Sequence, residues 1–328
     1  MNRRNHLKLI NILTLSFVMA SLLFSGCSKK KEINKSVRIA IQPSAAFIPL
    51  YVARYSGAIE DALAPKKVKV IWQDFESGPP MNESLSADLT DIGVIGDVPV
   101  VLSLAGSTRM KLVGIPARGP NAYAMLSRAD DNSFNSLKDI KGKRIATVFG
   151  STGHNFTKKL LEDLSLSFSD IEYSNISAGM AENSLITGFA DAVVIWEPNV
   201  TRLVDKGIAK IVSQGSDTSL QGTNGFIVRE EYFATNKDVI SVILQEYKKA
   251  SENLENMNSE TLHKLAVALN VLPDQVFKIM KKYDYSVAVT DNDIDSLNDT
   301  IKFLVSINNL SSEYSVEKFV DTSCCPQE

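Results

Sequence analysis

The alternation of short β-branched runs with longer helix-like stretches constrains the fold of this chain more than any other feature. It begins at Val37 and continues to Glu230. Such alternation is typical of α/β proteins, in which helices connect neighbouring strands of a parallel sheet. In its first part we predict strands at 37–42, 68–73, 92–95 and 111–115 and helices at 48–63, 81–87 and 98–105.

Two clusters of turn residues, 116–120 (PARGP) and 221–225 (QGTNG), interrupt this alternation. Gly and Pro at this density mark places where a chain changes direction. We therefore expect the chain to cross between two lobes at these points. Between and just after the clusters, the pattern predicts strands at 122–127, 145–149, 171–173, 192–196, 208–212 and 226–228.

After Glu230 the pattern is helical, and no further sheet is evident. We expect these helices to pack back onto the first lobe, which makes that lobe discontinuous. The predicted organisation is lobe I from 37–118 and 226–328 and lobe II from 119–225. The predicted C-terminal helices lie at 239–254, 261–269, 274–282 and 293–305.

An internal similarity supports two lobes. The segments 91–99 (DIGVIGDVP) and 191–198 (DAVVIWEP) share an acidic turn residue, a buried strand, and a second acidic residue closely followed by Pro. The second acidic residue can cap the next helix, and Pro is tolerated in a first turn. The two turns would then face each other across a cleft; coincidence in a common strand-to-helix motif is the alternative interpretation.

The N-terminus carries an export signal. Three basic residues precede a short apolar stretch at 9–24, and the segment 23–27 (LFSGC) is similar to a lipobox, with Phe24 where Leu is usual. We predict a signal peptide at 1–26, lipid attachment at Cys27 and a polar tether at 27–36. An ordinary signal peptide with a chance Cys is the alternative, and Asn11 interrupts the run needed for a membrane-spanning helix.

Composition excludes several classes of protein. Without the signal, 32 basic residues face 38 acidic ones, a formal charge of −6 that disfavours nucleic acid as a partner. The cysteines besides Cys27 are the adjacent pair Cys324 and Cys325, whose Cα atoms, about 3.8 Å apart, are too close for a relaxed disulfide. We interpret this pair as part of a mobile tail.

The strongest candidate binding segment is 149–155 (FGSTGHN), where a strand ends and a helix begins. A helix N-terminus leaves about four N–H groups unpaired and attracts anions. Ser151 and Thr152 add hydroxyl donors, although either could serve only as an N-cap. The spacing fits neither a dinucleotide-binding fingerprint nor a P-loop.

Other polar residues follow strands at the edge where open α/β sheets bind ligands. Ser77 and Gly78 open the turn 77–81 (SGPPM), and Gln42 lies at the carboxyl end of the first strand. Trp196 would lie either in the core or over an apolar ligand. His154 is either a surface residue of the first turn or a polar wall of the pocket; without a paired His, a G-x-S-x-G motif or a Cys cluster, zinc and serine-hydrolase sites are disfavoured.

On these residues the chain resembles the solute-binding proteins of ABC importers for nitrate, sulfonate and taurine, most closely the aliphatic sulfonate-binding proteins. The resemblance runs from about Val37 to Val320 and is carried by 77–81, 96–99 (GDVP), 137–143 (LKDIKGK), 150–155 and 195–198 (IWEP). It implies an α/β protein of the type II periplasmic-binding fold, with two lobes joined by two crossing hinge segments. The ligand would lie between the lobes.

The resemblance also implies a function. The protein would be a non-enzymatic, monomeric, extracytoplasmic lipoprotein that captures an organosulfonate and delivers it to a permease and its ATPase, with no cofactor, metal or catalytic residue. Thr152, Gly153, Glu197 and the segment 223–225 depart from the usual pattern, which leaves the ligand less defined than the fold. The implied ligand-binding residues are Gln42, Gly78, Gly96, Asp97, Ser151, Thr152, His154, Trp196, Glu197 and Thr223, and the turn 77–81 adds Ser77 to the predicted site.

Three alternatives stay open at this point. Nitrate, taurine or a pyrimidine vitamin precursor could be the ligand. An enzyme on the same scaffold would need a reactive Cys and His in the cleft, whereas the Cys pair lies in the tail. A regulatory effector domain lacks a helix-turn-helix segment and conflicts with export.

Overall fold

The computed structural model describes residues 35–326. The predicted signal peptide, Cys27 and most of the predicted tether lie outside the described residues. The last two tether residues, Lys35 and Ser36, belong instead to the first strand, so that part of the tether prediction is wrong. Among the described residues, no helix is both long and apolar enough to cross a membrane.

Twelve strands are present in the described part of the chain, and most lie within two residues of the predicted ones. They are β1 (Lys35–Ile41), β2 (Val68–Asp74), β3 (Ile92–Gly96), β4 (Met110–Gly114), β5 (Ala117–Arg118), β6 (Tyr123–Arg128), β7 (Arg144–Thr147), β8 (Glu172–Asn175), β9 (Ala192–Trp196), β10 (Ala209–Gln214), β11 (Asn224–Arg229) and β12 (Asp284–Tyr285).

The α-helices of the described residues connect these strands and then form the C-terminal part. They are α1 (Ile48–Ser56), α2 (Ala58–Leu63), α3 (Gly78–Ser86), α4 (Asp97–Ala105), α5 (Thr152–Asp163), α6 (Ala181–Ile186), α7 (Asn199–Asp205), α8 (Glu230–Thr235), α9 (Lys237–Glu252), α10 (Ser259–Leu269), α11 (Pro273–Met280) and α12 (Asp291–Ser306). The helix predicted at 48–63 is two helices, because Gly57 between them has a φ of +76°.

The strands form two five-stranded sheets with the same plan. The first has the order β2-β1-β3-β11-β4, and the second, read from its other edge, has the order β8-β7-β9-β6-β10. In each sheet the first three strands are parallel, but β11 and β6 run antiparallel to their neighbours. β11 and β6 are therefore exceptions to the parallel arrangement that the alternation favours.

The antiparallel strands follow from where the chain crosses between the sheets. Tyr123, the first residue of β6, pairs with Trp196, the last residue of β9. Asn224, the first residue of β11, likewise pairs with Gly96 at the end of β3. Because each crossing reaches the next sheet at the edge where parallel strands end, the entering strand must run away from that edge.

Each sheet has its own apolar core. One face of the first sheet packs against α1, α9 and α10, and its other face packs against α4 and α12. The second sheet contributes a separate core that includes Phe134, Phe156 and Leu203. The assignment of whole segments to two independently moving lobes stays a prediction.

The C-terminal region departs from the sequence interpretation in two places. β12 pairs with β5 at the first crossing, so a small strand does occur after Glu230. The segment after α12 packs on the first sheet: Val320 bridges Leu112, and Cys324 is buried with 2% exposure. The mobile-tail interpretation is therefore wrong, and burial raises the pKa of Cys325 to about 11, which keeps that thiol protonated at neutral pH.

Candidate functional site

The candidate site lies where the two sheets face each other with the carboxyl ends of β1, β3 and β9. Helix α3 starts at this edge from the first sheet, and helix α5 starts there from the second. Pro79 and Pro80 lie in the first turn of α3, where a missing N–H does no harm. These two helix starts bring backbone N–H groups to opposite sides of one space.

Local sequence explains how the α5 side of the site is built. Gly150 has a φ of +74°, a conformation that favours glycine and turns the chain from β7 toward the helix. Ser151 is the N-cap: its Oγ accepts a hydrogen bond from the Gly153 N–H at 3.1 Å and donates to the Val148 carbonyl at 2.6 Å. The Ser151 hydroxyl is therefore engaged within its own turn.

A cavity of about 20 Å³ lies between the sheets. Six of the eleven predicted ligand-binding residues line it, together with four residues that the sequence did not identify. The predicted ones are Gln42, Gly78, Gly96, Ser151, Thr152 and Trp196, and the additional ones are Ser44, Pro99, Tyr123 and Asn224.

The sheets are in close contact around this cavity. The Ala45 N–H donates to the Glu197 carbonyl at 3.2 Å, and the Gly179 N–H donates to Glu76 Oε1 at 3.0 Å. A methyl group built at Gly96 would lie 2.3 Å from Thr152 Oγ1, so only glycine fits there. A cavity of 20 Å³ holds about one water molecule, so a larger guest requires the sheets to move apart.

The buried side-chain oxygen of Gln42 has no hydrogen-bond partner in the structure. A buried polar atom without a partner costs free energy. Rotating the side-chain amide of Gln42 by 180° exchanges its oxygen and its nitrogen. Gln42 can therefore present either an acceptor or a donor to a guest between the sheets.

Two predicted acidic residues are turned toward other partners. Asp97 begins α4, and its Oδ2 accepts from Asn155 Nδ2 at 2.7 Å and Thr300 Oγ1 at 3.1 Å. Glu197 is fully buried and accepts from the Thr201 N–H at 3.0 Å and from Lys282. Neither lines the cavity, and Glu197 satisfies a first-turn N–H of α7 as a cap does.

The other three predicted residues also lie outside the cavity lining. Ser77 is the N-cap residue of α3 but makes no side-chain cap hydrogen bond. Thr223 Oγ1 lies 3.2 Å from Ser296 Oγ. His154 is packed among aromatic rings, stacked on Phe149 with ring centroids 4.9 Å apart. Burial lowers the pKa of His154 to about 4, so it is neutral at pH 7.

Two of the residues missed by sequence reasoning come from the entering strands. Tyr123 and Asn224 begin β6 and β11 at the cleft edge, and the Tyr123 hydroxyl lies near the side chains of Thr152 and Asn224. Burial raises the pKa of Tyr123 and keeps its hydroxyl protonated, available as a donor. The turn clusters located both crossings, but only the strand pairing shows that the next residues reach the cavity.

The lining contains no Lys or Arg, so an anion here would depend on hydroxyl, amide and backbone N–H donors. Among residues 35–326, no group of three His, Cys, Asp or Glu residues is arranged to hold a metal ion. The site is thus suited to a small guest that accepts several neutral hydrogen bonds, with Trp196 against its apolar part.

Comparisons with known proteins find matches in sequence. The profile of the family described as "NMT1/THI5 like" matches residues 83–260. A protein of Bacillus subtilis (strain 168), named "Putative aliphatic sulfonates-binding protein", is 32% identical over 242 residues, which cover 74% of this chain and 72% of the relative.

Solved structures share the fold. The alkanesulfonate-binding protein SsuA from Xanthomonas axonopodis pv. citri, bound to MOPS, is similar with a TM-score of 0.79 at 24% identity, covering 87% of this chain and 98% of that one. The desulfurization enzyme DSZB is similar with a TM-score of 0.65 at 15% identity, covering 88% and 97%. The same scaffold therefore occurs in both a binding protein and an enzyme.

Proposed function

The chain belongs to the NMT1/THI5-like family, and from this premise we propose that it captures an aliphatic sulfonate between its two sheets for an ABC importer. The observation that carries the proposal is the facing pair of helix starts around a cavity lined by Thr152, Tyr123 and Gln42. A sulfonate is a permanent anion that only accepts hydrogen bonds, which suits such donors.

The proposed binding cycle requires opening and closing of the two sheets. The sulfonate enters while the sheets are apart, and contacts from both sides then favour closure. The alkyl chain would add about 0.8 kcal/mol for each CH₂ that it buries, here against Trp196. After ordering and desolvation costs, we expect a dissociation constant near 1 μM, about −8 kcal/mol.

The cellular setting is part of the proposal. Export by the N-terminal signal, with lipid on Cys27, would hold the protein on the extracytoplasmic face of the membrane. There it would deliver its ligand, as a monomer, to a permease and its ATPase. Replacement of Cys27 by Ala should release the protein from the membrane fraction without changing ligand affinity.

Isothermal titration calorimetry tests the ligand class. We expect micromolar binding of n-alkanesulfonates that strengthens with chain length, and weaker binding of sulfate and nitrate. Thr152→Val should weaken alkanesulfonate binding about tenfold, because it removes one donor to a charged group. Thr187→Val, at an exposed position outside the cavity lining, is the matched control and should change nothing.

Other ligands would give a different result in the same titrations. Taurine or a pyrimidine precursor binding more tightly than every alkanesulfonate would replace the proposed ligand. Affinity that does not depend on chain length would favour nitrate, which buries little apolar area. Absence of sub-millimolar binding for the whole alkanesulfonate series would contradict the proposal.

An enzyme on this scaffold is the alternative of a different class, favoured by the fold shared with DSZB. The cavity lining provides no nucleophile paired with a base: Ser151 Oγ donates to a carbonyl, and His154 stacks on aromatic rings. Bound ligand should therefore be recovered unchanged after prolonged incubation. Turnover that disappears with His154→Gln would establish the alternative instead.

A further inference from the structure

A second, larger space adjoins the cleft. Trp196 lines both the 20 Å³ cavity and a neighbouring cavity of about 320 Å³, which we call the outer chamber. Its walls come from both sheets and include Pro43, Glu76, Glu182, Arg202 and Leu269. Trp196 is therefore shared between the proposed binding site and the outer chamber.

Arg202 is a largely buried side chain of this chamber that keeps unused hydrogen-bonding capacity. Its side chain is only 15% exposed, and its Nε makes no hydrogen bond. One terminal nitrogen donates to Asn199 Oδ1 at 2.6 Å, and Glu182 Oε2 lies 3.9 Å from Nε, beyond hydrogen-bonding distance. A guanidinium has five donors, so this one can still bind an acceptor.

Both carboxylates that line the chamber accept hydrogen bonds from other parts of the protein. Glu76 Oε1 accepts the Gly179 N–H at 3.0 Å. Both oxygens of Glu182 accept from Lys206 Nζ, at 3.1 and 3.2 Å. Glu182 is thus paired with two cations, Lys206 and, at 3.9 Å, the Nε of Arg202, so Arg202 shares this carboxylate and keeps hydrogen-bond donors for a ligand oxygen. The Gly179 N–H leaves the negative charge of Glu76 in place.

Separation of the sheets does not disturb the relation between the two key side chains. Trp196 ends β9, and Arg202 lies in α7, which starts three residues later at Asn199. The Arg202–Asn199 hydrogen bond stays within this helix. Trp196 and Arg202 therefore line the same chamber from one strand–helix unit.

We propose that the outer chamber receives the far end of the ligand and that Arg202 selects organosulfonates whose chain ends in a second anionic oxygen group, such as a carboxylate. Arg binds carboxylates with two parallel hydrogen bonds, a geometry that ammonium and methyl ends cannot use. This inference rests on the proposed function, because the sulfonate head must occupy the space between the sheets.

The experiment is calorimetry on the full chain in a nonionic detergent, which contributes no competing sulfonate or sulfate. Three series are titrated at matched carbon number: n-alkanesulfonates, ω-carboxyalkanesulfonates and ω-aminoalkanesulfonates. At the chain length that reaches Arg202, we expect the ω-carboxy ligand to bind at least about tenfold more tightly than the n-alkanesulfonate. The ω-amino ligand should be the weakest of the three.

Variants assign the preference to Arg202. Arg202→Gln should abolish the ω-carboxy preference while n-alkanesulfonate affinity stays within about twofold, which also shows that the variant is folded. Arg202→Lys should keep part of the preference, since it keeps the positive charge but loses the planar guanidinium that makes two parallel hydrogen bonds. Arg109→Gln, at a side chain that is 87% exposed, is the matched control and should keep the full preference.

The possible failures can be told apart. If n-alkanesulfonates bind but no chain length shows the ω-carboxy preference, the inference is overturned and the proposed function stands. Tighter binding of ω-amino ligands, or an equal loss for both series in Arg202→Gln, also overturns it. If no sulfonate binds the wild-type protein, the proposed function fails and the inference fails with it.

Discussion

In the first sheet Arg38 of β1 binds Asp91 in the turn before β3, and in the second sheet Arg144 of β7 binds Asp191 before β9. The hydrogen bonds match atom for atom, including one from each guanidinium to a nearby turn carbonyl, that of Asp88 or Gly188. Both sheets thus tie two parallel strands together in the same way at the end away from the cleft.

The two ion pairs differ in burial. Arg229 of β11 adds a second guanidinium to Asp91, whose side chain is 4% exposed, whereas that of Asp191 is 22% exposed. Burial alone would raise the pKa of Asp91, but hydrogen bonds from Arg38 and Arg229 hold it below its ordinary value. The ion pair of the first sheet is therefore more buried and includes one more guanidinium than the equivalent pair of the second sheet.

The two sheets differ more at the cleft ends of these strands than at the opposite ends. β3 ends in Gly96, which leaves room for Thr152, whereas β9 ends in Trp196. The following acidic residues, Asp97 and Glu197, bind unrelated partners. The ends away from the cleft thus repeat one arrangement of ion pairs, whereas the cleft ends carry different residues at equivalent positions.

The largest expected effect comes from breaking the buried pair. Asp91→Ala should lower the free energy of unfolding by about 3 kcal/mol, because two guanidinium groups lose their partner in a largely buried site. Asp191→Ala should cost clearly less, since that pair is more exposed. Urea denaturation measures both, and equal losses would contradict the difference in burial.

Acid titration of the same proteins gives a second readout. Because the folded pKa of Asp91 is depressed, its stabilisation is fully present above the unfolded value of about 3.9 and is lost as pH falls through the folded value. Asp91→Asn should therefore flatten the acid-induced loss of stability. Arg144 also lowers the pKa of Asp191, against the effect of burial, so Asp191→Asn is the comparison variant.

Gly96 provides the next test, at the cleft end of β3. Gly96→Ala should destabilise the protein by about 1–3 kcal/mol through overpacking against Thr152, and it should weaken sulfonate binding by preventing the sheets from closing. The double variant G96A/T152A should recover most of the lost stability. Gly106→Ala, at an exposed position, is the control; a similar loss there would show that the contact with Thr152 is not the cause.

The smallest expected losses of stability come from the N-cap residues of the two facing helices. Ser151→Ala should cost about 1 kcal/mol, because it removes the hydrogen bond that caps α5. Ser77→Ala should cost less than about 0.5 kcal/mol, since Ser77 makes no side-chain cap hydrogen bond. Thermal unfolding compares them, and a larger effect at Ser77 would reverse the assignment.

Much of the fold was predictable, because apolar periodicity and turn residues are local signals. The strand 192–196 was predicted with its exact bounds, and the acidic turn residues Asp91 and Asp191 were recognised as equivalent. Their arginine partners were not, because Arg38 and Arg144 lie 53 and 47 residues away and no local pattern links them. The direction of β6 and β11 was missed for a similar reason, since it depends on where the chain crosses.

The candidate site was predicted in part. Glycines and hydroxyls at strand-to-helix turns identified Gly78, Ser151 and Thr152, and the family resemblance added Gly96. All four line the cavity. The surroundings of His154 could not be predicted, because its sequence neighbours Gly153 and Asn155 do not indicate the aromatic rings that surround it. Phe168, Tyr173 and Phe303 pack around His154 from elsewhere in the chain.

Hydrophobic period, Gly and Pro were enough to predict the α/β class, the two crossings and the turns that start the facing helices, because these signals act over a few neighbouring residues. Three-dimensional packing was needed to show that Tyr123 and Asn224 reach the cavity, that Asp97 and Glu197 bind other partners, and that Arg202 borders a second chamber beside Trp196. These are contacts between distant segments, and their formation depends on packing and burial that no local pattern records.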